Sequence, residues 1–172
     1  MILGQPGSGK STLASQVGAA MGLPVVHVDR IHWMSGWTER PADEKIAMAL
    51  AEQAKPEWVF EGGLAETKDD RLARADALIV IELPYVLRMW RVMKRTVRYY
   101  GRTRPDLPDG CPEQVSLEFW RWIWDTRHTA REANRTWAAK ARAMGKVVHV
   151  LASRRDVRVF VDGLDLIGQS RQ

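Results

Sequence analysis

A single cysteine, Cys111, stands in 172 residues. It cannot close an internal disulfide, and no Cys/His set supplies a structural zinc site. The fold must rest on its own core, and the expected setting is reducing and cytoplasmic. Long apolar runs are missing as well. None approaches the ~18 residues of a spanning helix, and the N-terminus opens into a glycine-rich motif without a signal-peptide pattern. No membrane partner is expected. The first apolar run, Met1–Leu3, is short for a buried strand, which a start upstream of Met1 would explain. There is no internal repeat and no low-complexity stretch. Acids are absent from one long segment, Leu83 to Pro105.

What is present is ordinary for a globular protein: 45% hydrophobic and 27% charged residues exclude a disordered or fibrous chain. The length suits one domain, here 1–172. Lys and Arg outnumber Asp and Glu by 26 to 21, giving a net charge of +5. That excess fits an anionic ligand, nucleotide or nucleic acid, without choosing between them.

Short apolar runs alternate with longer helical patterns. Met1–Leu3, Pro24–Val28, Trp58–Phe60, Ala77–Leu83 and Lys146–Leu151 read as strands. Helices are expected from about Ser11 to Met21 with Gly22 as the stop, over 42–54, over Tyr85–Tyr100, across most of Glu113–Met144, and over Asp156–Leu166. Residues 101–113 hold three prolines and two glycines and read as loop. Near-continuous apolar strands alternating with helices predict an α/β fold, a parallel sheet with helices on both faces.

The most informative segment is Gly4-Gln5-Pro6-Gly7-Ser8-Gly9-Lys10-Ser11-Thr12, which matches G-x-x-x-x-G-K-[ST]. Small residues let successive backbone N–H groups wrap a phosphate, and the positive end of the following helix adds to them. Lys10 would neutralise the β- and γ-phosphates of ATP, and Ser11 would ligate Mg²⁺ through its hydroxyl. A carboxylate near the metal is expected at the carboxyl end of a strand, where open parallel sheets gather ligands. Asp29, Glu61 and Glu82 are the candidates.

With those residues in view, the chain resembles the adenylate-kinase-like group of P-loop kinases, most closely its bacterial topology modulation branch. The resemblance runs over G-Q-P-G-S-G-K-S-T-L-A at 4–14, H-V-D-R-I-H-W at 27–33, W-V-F-E-G-G at 58–63, R-A-D-A-L-I-V-I-E-L-P at 74–84, R-V-M-K-R at 91–95, R-P-D-L-P-D-G-C-P-E at 104–113 and V-H-V-L-A-S-R-R-D-V at 148–157. It implies a P-loop NTPase three-layer sandwich with a five-stranded parallel sheet in order 2-3-1-4-5 and a helical lid, about 98–130. It also implies that Arg91 lies against the nucleotide base and Arg95 reaches phosphates, that Glu61-Gly62 stands where the group has Asp-Gly, and that Ala152-Ser153-Arg154 packs on adenine. Arg127 and Arg131 match the lid arginines in kind. The full acceptor-nucleotide signature of true adenylate kinases is not present.

Arg88, Arg91, Arg95, Arg98 and Arg102 recur at helical spacing. Such a stripe is a solvated face, a charge clamp on a transferring phosphoryl group, or a nucleic-acid contact. Trp33 and Trp37 form either a substrate-facing wall or a hydrophobic plug, with His32 beside them. Trp120, Trp122 and Trp124 read as core or lid packing, and His27 and His149 as packed, hydrogen-bonded strand residues. The expectation is an ATP- and Mg²⁺-dependent phosphotransferase. Gly4, Pro6, Gly7, Ser8, Gly9, Lys10, Ser11, Thr12, Arg91, Ser153 and Arg154 would hold ATP. Ser11 and Glu61 would serve the metal. Asp29, His32, Trp33, Trp37, Glu61 and Gly62 would line the acceptor site, and Lys10, Asp29, Arg91, Arg95 and Arg127 would carry the chemistry. The alternative is a nucleotide-gated regulatory ATPase that meets DNA or a protein partner through the Arg88–Arg102 face. The segment from about Arg98 to Trp120 is expected to be mobile when empty, its arginines repelling one another until phosphate arrives.

Overall fold

The computed structural model describes residues 1–169. Its frame is a five-stranded, fully parallel sheet of β1 (Ile2–Gly4), β2 (Val25–His27), β5 (Val59–Glu61), β6 (Ala77–Ile81) and β7 (Val147–Leu151), in spatial order β2-β5-β1-β6-β7. Counted along the chain, the sheet's own strands run 2-3-1-4-5, as expected. The remaining pair, β3 (Trp33–Met34) and β4 (Thr38–Glu39), forms a small antiparallel hairpin outside the sheet.

Alternation along each strand explains why the runs are apolar throughout. Ile2, Val59, Ile79 and Ile81 enter one core with Leu13 and Val17 of α1 (Lys10–Met21) and Leu164 of α8 (Arg154–Gln169). Met1, Leu3, Leu78 and Val80 enter a second core with Leu72 of α4 (Lys68–Arg74) and Ala138 and Ala141 of α7 (Thr129–Ala143). Phe60 joins a third with Val28 and Ile31 of α2 (Val28–His32) and Ala49 of α3 (Ala42–Gln53). Both faces of the sheet are therefore covered, which gives three layers. Among the described residues no helix is long and apolar enough to cross a membrane.

Several boundaries differ from the sequence expectation. The second strand stops at His27 because Val28–His32 turns at once into α2, which puts Asp29 in a helix and not at a strand end. The hairpin and α4 went unread, being too short to show a period. The stretch 113–144 is two helices, α6 (Leu117–Asp125) and α7, separated at residues 126–128. Ser116 starts α6 by accepting the Phe119 amide at 3.1 Å. The closing helix begins at Arg154, two residues early. The Ser153 hydroxyl accepts the Asp156 amide at 3.1 Å while Asp156 accepts the Ser153 and Ala152 amides, both at 2.9 Å. His149 is exposed on the edge strand β7, edge-on to Phe160, and not enclosed. Of the α6 tryptophans, Trp122 and Trp124 are not core, being 51% and 52% exposed, while Trp120 is half-buried.

The segment 101–113 lacks regular structure, yet it is tied down residue by residue. Gly110 lies so close to Ser35 that a Cβ there would stand 2.0 Å from its Oγ. The Cys111 thiol is buried and donates to the Met34 carbonyl at 3.1 Å. The Pro112 carbonyl accepts the Trp37 indole N–H at 2.9 Å. Glu113 is buried and accepts from Thr96 and Arg95 of α5 (Tyr85–Tyr99), each at 3.1 Å, while Arg104 stands 2.8 Å from its other oxygen. Arg104 reaches Asp106 at 2.7 Å as well. Arg95 and Arg104 thus share Glu113, and the expected mutual repulsion of the arginines is offset here by carboxylates.

Glu113→Ala would leave the Arg95 guanidinium without a carboxylate and Arg104 with Asp106 alone, both with little water around them. It should cost about 3 kcal/mol. Denaturant unfolding measures this, and an unchanged midpoint would mean that Glu113 does not anchor the segment.

Candidate functional site

The glycine-rich loop connects β1 to α1. A turn bond from the Ser8 amide to the Gln5 carbonyl, at 3.1 Å, folds it back on itself. Gly7 and Gly9 adopt left-handed φ values of 75° and 92°. Gly7 has a second reason to be glycine: its Cβ would stand 2.3 Å from the Arg88 carbonyl oxygen. The helix that follows has no acid in its first turn and no side-chain cap. Its first amides and its positive dipole end are therefore left to an incoming anion.

Two arginines of α5 brace this loop from outside. Arg88, almost wholly buried, donates to the Leu83 and Pro6 carbonyls, both at 3.2 Å. Arg91 donates to the Ser8 carbonyl at 3.1 Å. Burial lowers the pKa of each below the usual arginine value, and the nearby Arg154 adds to this at Arg91.

Beneath the loop, the register pairs His27 with Glu61 across β2 and β5. Glu61 is fully buried. One carboxylate oxygen is hydrogen-bonded to His27 Nδ1 at 2.8 Å. The other lies 3.8 Å from Lys10 Nζ and has no hydrogen-bond partner. Burial alone would raise its pKa, but the Lys10 charge, the His27 contact and Ser11 outweigh burial and hold the carboxyl below its ordinary value. An anionic carboxylate with one free oxygen, beside the Ser11 hydroxyl, suits a hard divalent cation that keeps water and phosphate ligands. Magnesium binds in that way, through few protein groups. Among the described residues there is no cluster of three or more His, Cys, Asp or Glu side chains able to hold a metal by themselves.

A cleft of about 770 Å³ opens over the loop. Gly7, Ser8, Gly9, Lys10, Ser11 and Thr12 line it, together with Arg91 and Arg95. Gly4 and Pro6 shape the loop without lining the cleft. The cations Lys10, Arg91, Arg95 and Arg104 face Asp106 as the one acid among the lining residues. The cleft therefore suits a polyanion.

Other expected residues lie elsewhere. Asp29, in the first turn of α2, is half-buried and outside the lining. His32 is 3.7 Å from Glu39 and packs edge-on against Trp33. Trp33 and Trp37 meet edge to face at 5.5 Å. With Trp37 bonded to Pro112, they act as a plug between the hairpin and the 101–113 loop, not as a cleft wall. Ser153 is spent on capping α8, Arg154 opens that helix, and Val157 is the α8 residue that reaches the cleft. Gly62 takes a left-handed φ of 99° behind Glu61, its Cβ position 3.0 Å from Val28.

The Arg127 guanidinium stacks on Trp124 at 3.9 Å, while its carbonyl accepts the Gln5 side-chain amide at 3.0 Å. Glu82 is taken by Arg131 and Arg135 of α7, both at 3.3 Å, which leaves Glu61 as the strand-end carboxylate beside the loop. Sequence reasoning missed His27, Tyr99, Arg104 and Asp106 as lining groups. The last two sit in R-P-D-L-P-D, a segment whose prolines signal loop and nothing about direction. The strand position of His27 suggested packing alone.

No protein-family model and no curated protein matches the chain.

Gly7→Ala should cost at least ~2 kcal/mol, since the methyl collides with backbone and not with a movable side chain. Gly22, also left-handed at φ 70°, has nothing within 4 Å of its Cβ position. Gly22→Ala should cost only about 1 kcal/mol of backbone strain. Paired thermal melts test the contrast, and equal losses would contradict the loop geometry.

Proposed function

We propose that the chain is a P-loop NTPase acting as an ATP- and magnesium-dependent phosphotransferase, with the hydroxyl of a small molecule or nucleotide as acceptor. The observation that carries this reading is the pairing of Lys10 with the free oxygen of buried Glu61, under a glycine loop that opens a helix N-terminus into a cationic cleft. The resemblance to adenylate-kinase-like enzymes supports it.

In this reading the loop amides from Gly7 to Thr12 and the Lys10 ammonium hold the β- and γ-phosphates. Ser11 and Glu61 would hold magnesium, which neutralises charge on the phosphates. Arg91 and Arg95 present positive charge to the phosphoryl group in transfer, where preorganised charge does most of the catalytic work. Asp29, two residues after His27, is the acceptor-side carboxylate. It lies in the first turn of α2 and outside the cleft lining, so in this reading the acceptor would extend from the cleft toward α2. Such an enzyme would work in the cytoplasm.

The regulatory alternative has less support. Arg88 and Arg91 are turned onto loop carbonyls and Arg95 onto Glu113, so the stripe does not offer a flat outward arginine face.

Lys10→Ala should lower acceptor-dependent ADP formation by about a thousandfold. Because it also removes the charge paired with buried Glu61, it should lower the melting temperature without unfolding the chain at assay temperature. Asp29→Asn should cripple transfer and leave ATP binding nearly intact. Steady-state turnover over a panel of hydroxyl acceptors, with calorimetric ATP titration, reads both. Wild-type turnover in Lys10→Ala would refute the phosphate-loop reading. Unchanged turnover in Asp29→Asn would remove that residue from the chemistry.

A further inference from the structure

Helix α5 is amphipathic in the reverse of the usual sense. Arg88, Arg91 and Arg95 face inward, and its outer face is apolar. Val86, Trp90, Met93, Val97 and Tyr100 follow one another at steps of four and three and are 77%, 57%, 48%, 81% and 67% exposed. The inward positions Arg88, Val92 and Thr96 are buried. A ridge of four protruding apolar side chains along one helix, continued by Tyr100 just past its end, is a contact surface and not ordinary surface scatter.

Charge selects the occupant. α5 carries Arg88, Arg91, Lys94, Arg95 and Arg98 and no acid. Lys94 and Arg98, both exposed, flank the ridge, and Arg102 follows beyond it, also exposed. The Lys94 ammonium lies 5.2 Å from the Trp90 ring centre and Arg98 lies 5.7 Å from that of Tyr99. A second copy meeting this ridge would set Lys94 and Arg98 against their own equivalents, with no carboxylate on the helix to pair them. A surface of dense negative charge over an apolar layer satisfies both components at once. Apolar side chains enter the headgroup–acyl boundary, Trp and Tyr rings sit at headgroup level, and basic side chains reach phosphates.

We infer that the outer face of α5 from Val86 to Val97, together with Tyr100 just past its end, is a contact surface for anionic lipid, with the helix lying along the bilayer. The expectation of no membrane partner came from the lack of a spanning run, and a helix that lies on the surface needs none. The inference does not depend on the phosphotransferase reading, because the arginines of the cleft and the ridge occupy opposite faces.

The test uses the full chain and vesicles of phosphatidylcholine with or without a quarter of phosphatidylglycerol, read by co-sedimentation and tryptophan emission. Wild-type protein should bind the anionic vesicles, with a blue shift, and bind the neutral ones about tenfold or more weakly. Trp90→Ser with Val97→Ser should abolish binding while leaving the melting temperature unchanged, since both side chains are exposed. Lys94→Gln with Arg98→Gln should weaken binding about tenfold and flatten its salt dependence. Three results would overturn the inference: no wild-type binding to anionic vesicles, binding that survives the Trp90/Val97 substitutions, or a lipid-free dimer that those substitutions dissolve. The last would assign the ridge to a second copy.

Discussion

The constraint on which the candidate site depends is the buried carboxylate of Glu61. It sits at the end of β5, between β1 and β2, where the sheet register brings Ile2 and His27 opposite it. A buried anion is costly unless it is paired and hydrogen-bonded. Here His27 supplies the hydrogen bond and Lys10 the charge, one from the neighbouring strand and one from the first residue of α1. The turn after it is held in the same way: the Gly62 amide donates to the Ile2 carbonyl at 3.1 Å, and fully buried Arg71 donates to the Gly62 carbonyl at 3.0 Å. Glycine loop, sheet and turn are thereby locked around one oxygen that still lacks a partner.

Arg71 shows how a charge is kept inside without a counterion. Its guanidinium donates to Gln53, Gly62 and Thr67 and lies 4.0 Å from the Phe60 ring centre. Burial lowers its pKa to about 10, far above neutrality, so it stays charged. Every one of its hydrogen-bond partners is a neutral oxygen. The group serves as a geometric brace for the turn after Glu61, and no reading of composition singles it out from other arginines.

What was legible in the sequence was what period and glycine chemistry encode. The five strands, α1 with its Gly22 stop, and the loop from Gly4 to Thr12 all follow from local rules, and the strand order came from resemblance. What was not legible depends on distant partners. Asp29, Glu61 and Glu82 were all candidates as strand-end acids, and what separates Glu61 from Glu82 is that α7 brings Arg131 and Arg135 to Glu82 and α1 brings Lys10 to Glu61. The Gly110–Glu113 segment read as loop, although each of its four residues has a specific contact on the hairpin or on α5 and its flanks. The arginine stripe had the right spacing, but periodicity gives a face and not its direction. Here the apolar stripe, ordinarily the buried one, is the one turned outward.

The same geometry changes what the net charge of +5 means. A basic excess invites a nucleic-acid reading only if the cations are free at the surface. In this chain many are committed to intramolecular partners. Arg71, Arg88 and Arg91 serve backbone carbonyls. Arg95 and Arg104 serve Glu113, and Arg131 and Arg135 serve Glu82. Carbonyl oxygens consume positive side chains without adding negative charge, so a chain that braces its loops with arginine acquires a high isoelectric point whatever it binds. The part of the excess that bears on partners is the part left over, and around α5 that is Lys94, Arg98 and Arg102, arranged beside an apolar ridge. Nucleic acid offers phosphates but no apolar layer beneath them, and it would leave the ridge in water. A lipid surface offers both.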